Sequence, residues 1–394
     1  MNLRLFIMLL MLYGVHLFLY FSAVYFIKVT APLRKRLLFY GFSLLSLSFM
    51  ASAILMRLYP NGITGFFYLC GALWLGIAIH LLFAGVLCWL VLLISKASSR
   101  PVPMRKAAIV LTAGAILFSL YGVWNAFHPR VKEIDVTMPD LPDAWVGKKI
   151  VQISDVHLGA IYSPRYLSDV AGRINALKPD VIFITGDLFD GISAGGLDVF
   201  VEPLNMLAAK DGIFYVNGNH ETYIGMERVS RTLAKTRMRV LRDEVIVLDG
   251  MQIIGVDYPE PGSYRDAAAI VRSRKEYTHG LPTILLYHTP TSIKIKTTDQ
   301  GRQQTQTYWA PDMDFTAAGE LGVDLQLSGH THNGQMLPFV WLAGYLYEGL
   351  DYGLHKADNG LLIYVTSGLG SFGPPMRTAT DSEIAVIRLR KAGQ

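Results

Sequence analysis

Seven side chains able to bind a cation stand in five short motifs in the latter part of the chain. Asp155 and His157 share Asp155-Val156-His157, and Asp187 follows Gly186. Asn219 lies in Gly218-Asn219-His220, and His288 stands alone. His330 and His332 close the set in Gly329-His330-Thr331-His332. Each motif follows an apolar run: Ile150 to Ser154, Val181 to Thr185, Ile213 to Val216, Thr283 to Tyr287, and Val323 to Leu327. Such runs read as short buried strands, and open α/β sheets bind ligands beyond the C-terminal ends of their strands. On extended backbone, residues two apart point to the same side, so His330 and His332 would enter one small volume. Gly329 would let the chain turn tightly before them.

The donors are carboxylate and amide oxygens and imidazole nitrogens, without thiolates, a set that suits divalent Mn, Fe, Zn or Co. One ion would take about four of them, whereas seven donors with one shared carboxylate suit two ions. Two ions about 3.5–4 Å apart can clamp a phosphate and activate water. Asp187 is the best candidate for the shared ligand. Asn219 is a neutral donor and leaves the site receptive to an anion. Taken singly, Asp155 reads as a helix cap, Asp187 as a turn residue, and His220 or His288 as a hydrogen-bonded core histidine. The ordered repetition at strand ends argues against that reading for all of them together.

The elements that must position these groups follow in order. Ser163 caps a helix that starts at Pro164 and runs to Leu177. A second helix is expected over Val199–Ala209, and a polar helix follows Gly218-Asn219-His220-Glu221 to about Met238. Val240–Leu248 and Met251–Val256 alternate and turn at Asp249-Gly250, a hairpin signal. Strands alternating with helices, then a hairpin, imply an α/β domain with helices outside a mixed sheet. The polar stretch 297–314 reads as a surface insertion, either a lid or a tolerated loop. A last strand at Leu361–Thr366 leads to Ser367-Gly368-Leu369-Gly370, which either lines the site or is a plain turn.

Ahead of this lies a different composition. The chain of 394 residues is 52% hydrophobic and only 17% charged, unlike a soluble domain. Four apolar runs, Leu5–Ile27, Leu37–Met56, Phe66–Ile94 and Ala107–Phe127, are each long enough to span a bilayer. Three further spans after the first argue against a signal peptide. The organisation is thus a transmembrane helical domain over 1–127, a connector over 128–147 with an edge strand at Val131–Val136, and a catalytic domain over 148–394. Lys28, Arg34, Lys35 and Arg36 sit in the first connection, and Lys96, Arg100, Arg105 and Lys106 in the third. The positive-inside rule makes these connections cytoplasmic and the catalytic domain extracytoplasmic. No Asp or Glu lies within the spans, against a proton relay. His16 and His80 within them read as packing residues. The net charge of +5 includes no nucleic-acid-binding run, and no protein partner is indicated.

The motifs Asp-x-His, Gly-Asp-x-x-Asp, Gly-Asn-His-Glu, a lone His and Gly-His-Thr-His, in this order, resemble the calcineurin-like metallophosphoesterases. The resemblance covers roughly Lys148 to Arg390 and implies a two-sheet αββα sandwich. It implies that Asp155, His157, Asp187 and His332 hold one metal, and Asp187, Asn219, His288 and His330 the other. It also implies that His220 contacts the substrate and donates a proton, oriented by Asp190. Glu221 is read as structural. The run from Leu327 to Gln335 and the late Gly-Leu-Gly are similar to a membrane-associated bacterial branch, which implies a multi-pass inner-membrane enzyme. Asn333 replaces a common Gly there, and Asp257-Tyr258 stands where a second Asp is often seen. The expected activity is two-metal hydrolysis of a phosphodiester, phosphomonoester or pyrophosphate, lipid-linked in view of the spans. The alternatives are a UDP-2,3-diacylglucosamine-type pyrophosphatase and a non-catalytic phosphate-binding sensor or scaffold.

Overall fold

The computed structural model describes residues 3–190, 196–260, 265–294, 296–297, 303–304 and 307–391. The chain forms two compact units. One comprises Met1–Asn125 together with Gly373–Thr378, and the other Ala126–Phe372 with Ala379–Gln394.

In the first unit four helices, α1 (Leu3–Ile27), α2 (Pro32–Leu58), α3 (Gly62–Ala97) and α4 (Met104–Ala126), are each long and apolar enough to cross a membrane. Helix α3 has 36 residues, about 54 Å at 1.5 Å per residue, well beyond the ~30 Å hydrocarbon layer. Asn61 starts it by accepting from the Ile63 and Thr64 amides, which removes two of the orphan donors of a helix start. Small residues permit close approach: a Cβ on Gly71 would stand 2.6 Å from Ser52 Oγ on α2. His16 accepts from Trp74 Nε1 at 2.9 Å, and His80 bonds Ser119 Oγ at 2.8 Å.

Among the described residues the second unit has fourteen strands: β1 (Arg130–Met138), β2 (Lys149–Ile153), β3 (Val181–Thr185), β4 (Ile213–Val216), β5 (Arg239–Val240), β6 (Glu244–Leu248), β7 (Met251–Val256), β8 (Thr283–Tyr287), β9 (Lys296–Thr297), β10 (Gln303–Gln304), β11 (Leu325–Ser328), β12 (Gly353–Lys356), β13 (Leu362–Val365) and β14 (Glu383–Lys391). One six-stranded sheet has the order β1-β14-β2-β3-β4-β5 and the other β12-β13-β11-β8-β7-β6. Strands β2, β3 and β4 are parallel in the first sheet, and β7, β8, β11 and β13 in the second. All five motifs therefore leave from C-terminal ends of parallel strands, three on one sheet and two on the other.

These strands are buried on both faces, which parallel sheets require. Val181 and Phe183 face inward with Ile284, Leu286, Leu325 and Leu327, forming the core between the sheets. Ile182 and Ile184 face outward beneath the helix Pro164–Ala176, with Leu167, Val170 and Ile174. Leu285 and Val365 face outward on the other side against Ala267 and Ala317. The arrangement is the expected α/β sandwich.

Several element boundaries differ from expectation. β1 pairs along its whole length with β14. The helix expected over Val199–Ala209 is a 3-10 turn at Asp198–Phe200 and a short helix Val201–Met206. The polar helix breaks at Gly225, whose φ of 98° is not helical, into Asn219–Ile224 and Met226–Leu233. The stretch 297–314 lies partly outside the described residues, so neither a lid nor a plain loop is assigned. From it, Tyr308 reaches the Thr331 carbonyl at 3.3 Å.

Candidate metal centre

The two β-loops of the first sheet stay paired beyond their strands. Asp155 N donates to Gly186 O at 3.0 Å and His157 N to Asp187 O at 3.1 Å. Glu221, fully buried, ties these loops to the next by accepting from Asp187 N at 3.0 Å, Phe189 N at 2.9 Å and Gly218 N at 2.7 Å. His220 N in turn donates to Asp187 Oδ1 at 2.8 Å. From the second sheet His330 N donates to both oxygens of Asp155 at 3.0 Å. The Leu369 and Gly370 amides cover the Ser154 and Asp155 carbonyls at 2.9 and 2.8 Å, so the late Gly-Leu-Gly turn is part of the site wall.

The backbone at the motifs is left-handed rather than extended. Asp155, His157, Asp187, His330 and His332 have φ of 53°, 52°, 49°, 73° and 51°. Asp and His tolerate this region better than bulky or β-branched residues, and such conformations gather at functional sites. His330 and His332 therefore converge by successive turns, not by the alternation of a strand. Gly329 has a different reason from the one expected. A Cβ there would lie 2.1 Å from Asp155 Oδ2, so glycine is required by close approach. Gly218 is bound likewise, with its Cβ position 2.2 Å from Asp187 Oδ1.

The side chains meet in overlapping groups: Asp155, His157 and His332; Asp187, His288 and His330; and His157, Asp187 and His220, each with ligand atoms within 4.8 Å of one another. His157 Nε2 and His332 Nε2 are 3.0 Å apart, and His288 Nε2 lies 3.1 Å from Asn219 Oδ1 and 3.2 Å from His330 Nδ1. Lone pairs converging on one another in a buried pocket fit a divalent cation. His288 Nδ1 donates to the Thr185 carbonyl at 2.9 Å, which leaves Nε2 for the centre. Asp187 Oδ2 lies 3.3 Å from His288 Nε2 and 4.0 Å from both His157 Nε2 and His220 Nε2. Asp190 Oδ1 is 3.7 Å from His220 Nδ1, an ion-pair distance rather than a hydrogen bond.

Burial dominates the electrostatics. It holds His157 and His330 down to about 3, helped by neighbouring His220 and His288 respectively. Both rings are thus neutral near pH 7, the form able to ligate a cation. Burial lifts Asp155 to about 6 against the pull of His288, and Glu221 to about 7, with Asp187 adding to the rise. Burial would also raise Asp187, yet His288 and His220 hold it well below the ordinary range. His220 and His288 answer in kind: burial lowers them, but Asp187 more than offsets it, with Asp190 assisting at His220, and both reach about 9.

Two wall residues, Phe372 and Tyr308, carried no motif, and Tyr258 was noted only as part of the Asp257-Tyr258 pair. The Phe372 ring is 5.6 Å from His220 and 6.4 Å from His157, and the Tyr308 ring 5.5 Å from His330. The Tyr258 ring is 6.2 Å from His288, and its amide donates to Asn217 Oδ1 at 2.7 Å. Beyond Asn217 a cavity of about 390 Å³ is lined by Arg242, Asp257, Tyr258 and Arg265. The Asp257 of the unexpected Asp-Tyr pair accepts from Arg242 there at 2.9 Å.

A family model described as calcineurin-like phosphoesterase matches residues 148–334. A metallophosphoesterase of Helicobacter pylori is 32% identical over 290 residues, covering 72% of this chain and 71% of its own. A transmembrane protein with a metallophosphoesterase domain from Danio rerio is 32% identical over 308 residues, covering 73% of this chain and 63% of its own. Among solved structures, the NAD nucleotidase of Haemophilus influenzae aligns with 57% of this chain and 45% of its own, at 15% identity and a TM-score of 0.34.

A cation held by His288 would have to displace its proton, since only neutral imidazole ligates. Below about 9, where His288 carries that proton, affinity for Mn²⁺ should rise about tenfold per pH unit and level off above it. Calorimetry of the full-length protein in two buffers of different ionisation enthalpy should register proton release at neutral pH. Binding without proton uptake by the buffer would contradict the assignment of His288.

Proposed function

Because this chain belongs to the calcineurin-like metallophosphoesterase family, and is therefore a metal-dependent phosphoester hydrolase with four candidate membrane helices, we propose that its substrate is a lipid-linked phosphoester or pyrophosphate. The observation that carries the chemistry is the pair of buried donor groups, Asp155/His157/His332 and Asp187/His288/His330. We infer that each group holds one divalent ion, with Asn219 completing the second and Asp187 facing both. Two ions, when bound, supply Lewis-acid stabilisation of a phosphoryl group and an activated water.

The rest falls to this chain's own side chains. Asp187 Oδ2 is within 4.0 Å of His157, His220 and His288, which supports a shared role. His220 leaves the ligand set to its neighbours and retains a proton, with Asp187 and Asp190 lifting it to about 9 against burial. That proton suits delivery to the departing oxygen, and Asp190, 3.7 Å behind the ring, favours the charged form. Phe372, Tyr308 and Tyr258 give the mouth an apolar rim.

The lipid assignment draws on the first unit. One spanning helix already gives effectively irreversible attachment, so four exceed an anchor's needs. The tether is short: α4 ends at Ala126 and β1 begins at Arg130. A UDP-diacylglucosamine-type substrate belongs to the same lipid class but is a cytoplasmic metabolite, at odds with the extracytoplasmic placement that we infer from the basic connections.

Four outcomes test this reading. Asp187→Asn should abolish turnover and reduce bound metal at both positions. His220→Ala should keep its metal and lose on the order of 10²–10⁴ in rate, with metal content measured by mass spectrometry beside the rate. Loss of metal from His220→Ala would make it a ligand instead. A periplasm-dependent reporter fused after Gln394 should be active and a cytoplasm-dependent one silent; the reverse would overturn the orientation. In detergent, the full-length protein should show higher kcat/KM on a lipid-linked phosphodiester than on a soluble one. Equal values would reduce the spans to a tether.

A further inference from the structure

The cavity of about 390 Å³ beyond Asn217 has no part in the chemistry given above. Every side chain that lines it belongs to the catalytic unit. Its size falls within the range of about 300–1,000 Å³ usual for small-molecule sites. Asn217 reaches it from the end of β4, two residues before Asn219. Asp257 and Tyr258 reach it from the end of β7, which runs parallel to β8. Arg242 and Asp243 precede β6, which is antiparallel to β7 and so begins at the same edge. The cavity thus lies along the strand ends that also carry the donor motifs, where open α/β sheets bind ligands. Tyr258 belongs to both places, since it lines the cavity and its ring is 6.2 Å from His288.

The charged groups of the wall are arranged in two ways. Arg265 and Asp243 close on each other, through Nε at 2.6 Å and Nη2 at 2.9 Å, and Asp243 Oδ1 also accepts from Asp257 N at 3.1 Å. That pair serves the fold. Arg242 is held on one side only. Its Nε donates to Asp257 Oδ2 at 2.9 Å, and among the described residues neither terminal amino group makes a hydrogen bond. Its side chain is 48% exposed. Asp257 is buried, and its Oδ1 has no hydrogen-bond partner. A buried oxygen left unbonded costs stability, so packing alone does not account for this pair. Its effect is a guanidinium fixed at Nε with both amino groups left for a ligand. Glu260, also on the wall, is exposed and makes no hydrogen bond or ion pair among the described residues.

Three carboxylates and two guanidiniums line the cavity. A second anion would face an excess of negative charge, and an apolar group would strip water from five ionised side chains. A ring bearing neutral hydroxyls suits this wall, because a hydroxyl accepts from a guanidinium and donates to a carboxylate. The Tyr258 ring offers an apolar surface to the C–H side of such a ring.

We propose that the cavity is the subsite for a neutral polyhydroxylated group, a sugar or cyclitol ring, carried by the phosphate that the metal centre takes. Arg242 donates to its hydroxyl oxygens, and Glu260 accepts from its hydroxyls. This rests on the reading of the metal centre as a phosphate site.

The test uses the full-length protein in detergent, loaded with Mn²⁺, and four phosphonates whose P–C bond is not hydrolysed. They are glucosylmethylphosphonate, ethylphosphonate, 2-aminoethylphosphonate and methylenebisphosphonate, with dissociation constants read by calorimetry. The glucosyl compound should bind ~10–100-fold tighter than ethylphosphonate, the scale of hydrogen bonds to charged groups. Arg242→Gln and Glu260→Gln should each bring that ratio toward one. Glu260 is exposed, so Glu260→Gln keeps the test open if loss of Arg242 unfolds the protein. Arg272→Gln, at an exposed ion pair with Glu320 that does not line the cavity, should leave the ratio unchanged. A ratio near one in the wild type, or a ratio that both cavity variants leave unchanged, would overturn the proposal. So would a larger advantage of 2-aminoethylphosphonate lost in Glu260→Gln, or of methylenebisphosphonate lost in Arg242→Gln, which would make the cavity a cation or an anion site. Dodecyl and methyl monoesters of the glucosyl compound separate two sources of the ring, and both results support the subsite. Tighter binding of the dodecyl ester assigns a lipid head group, and equal binding a free sugar phosphate, against the lipid reading above. A protein that binds the glucosyl compound through Arg242 and Glu260 yet turns over no phosphoester would support the subsite and count against the hydrolytic reading alone.

Discussion

The buried carboxylate of Asp187 is the constraint on which the catalytic domain turns. An ion without water must be compensated at close range, or it surrenders its charge. Here His288, His220 and His157 lie within 4.0 Å of one oxygen, and the His220 amide bonds the other. The three histidines come from different strand ends on both sheets. The sandwich must hold those ends in register for one charge to be tolerated, and the same arrangement prepares it for cations.

Glu221 carries the next level of this dependence. Its three backbone partners come from the Asp187 loop and from the turn before Asn219. A second buried carboxylate close to Asp187 is costly, and its elevation to about 7 records that cost. Its hydrogen bonds offset part of it. The loops are thus set by groups that need never touch a substrate.

Much of this was legible in the residues. Strand ends were marked by apolar runs stopping at Asp, Asn or His, and the capping of Pro164–Ala176 by Ser163 was local chemistry. The spans were legible because lipid demands long uninterrupted apolarity. The left-handed backbone at Asp155 and His157 was not, since their amides pair with the neighbouring loop at Gly186 and Asp187. Gly329 was noticed for the wrong reason, because close approach to Asp155 is a tertiary fact. Phe372 carried no metal-binding chemistry to attract attention.

The position of β14 has a consequence for how the domain is made. It lies between β1 and β2, parallel to one and antiparallel to the other. Two strands from the start of the domain are thus joined only through Glu383–Lys391, which arrives last. Pairings this distant along the chain fold slowly. A ribosome delivering the domain from its N-terminus exposes β2 and its Asp-Val-His loop with one edge uncovered through most of translation. Assembly of the first sheet is therefore a late event, and cations present during synthesis meet an open edge before they meet a finished cage.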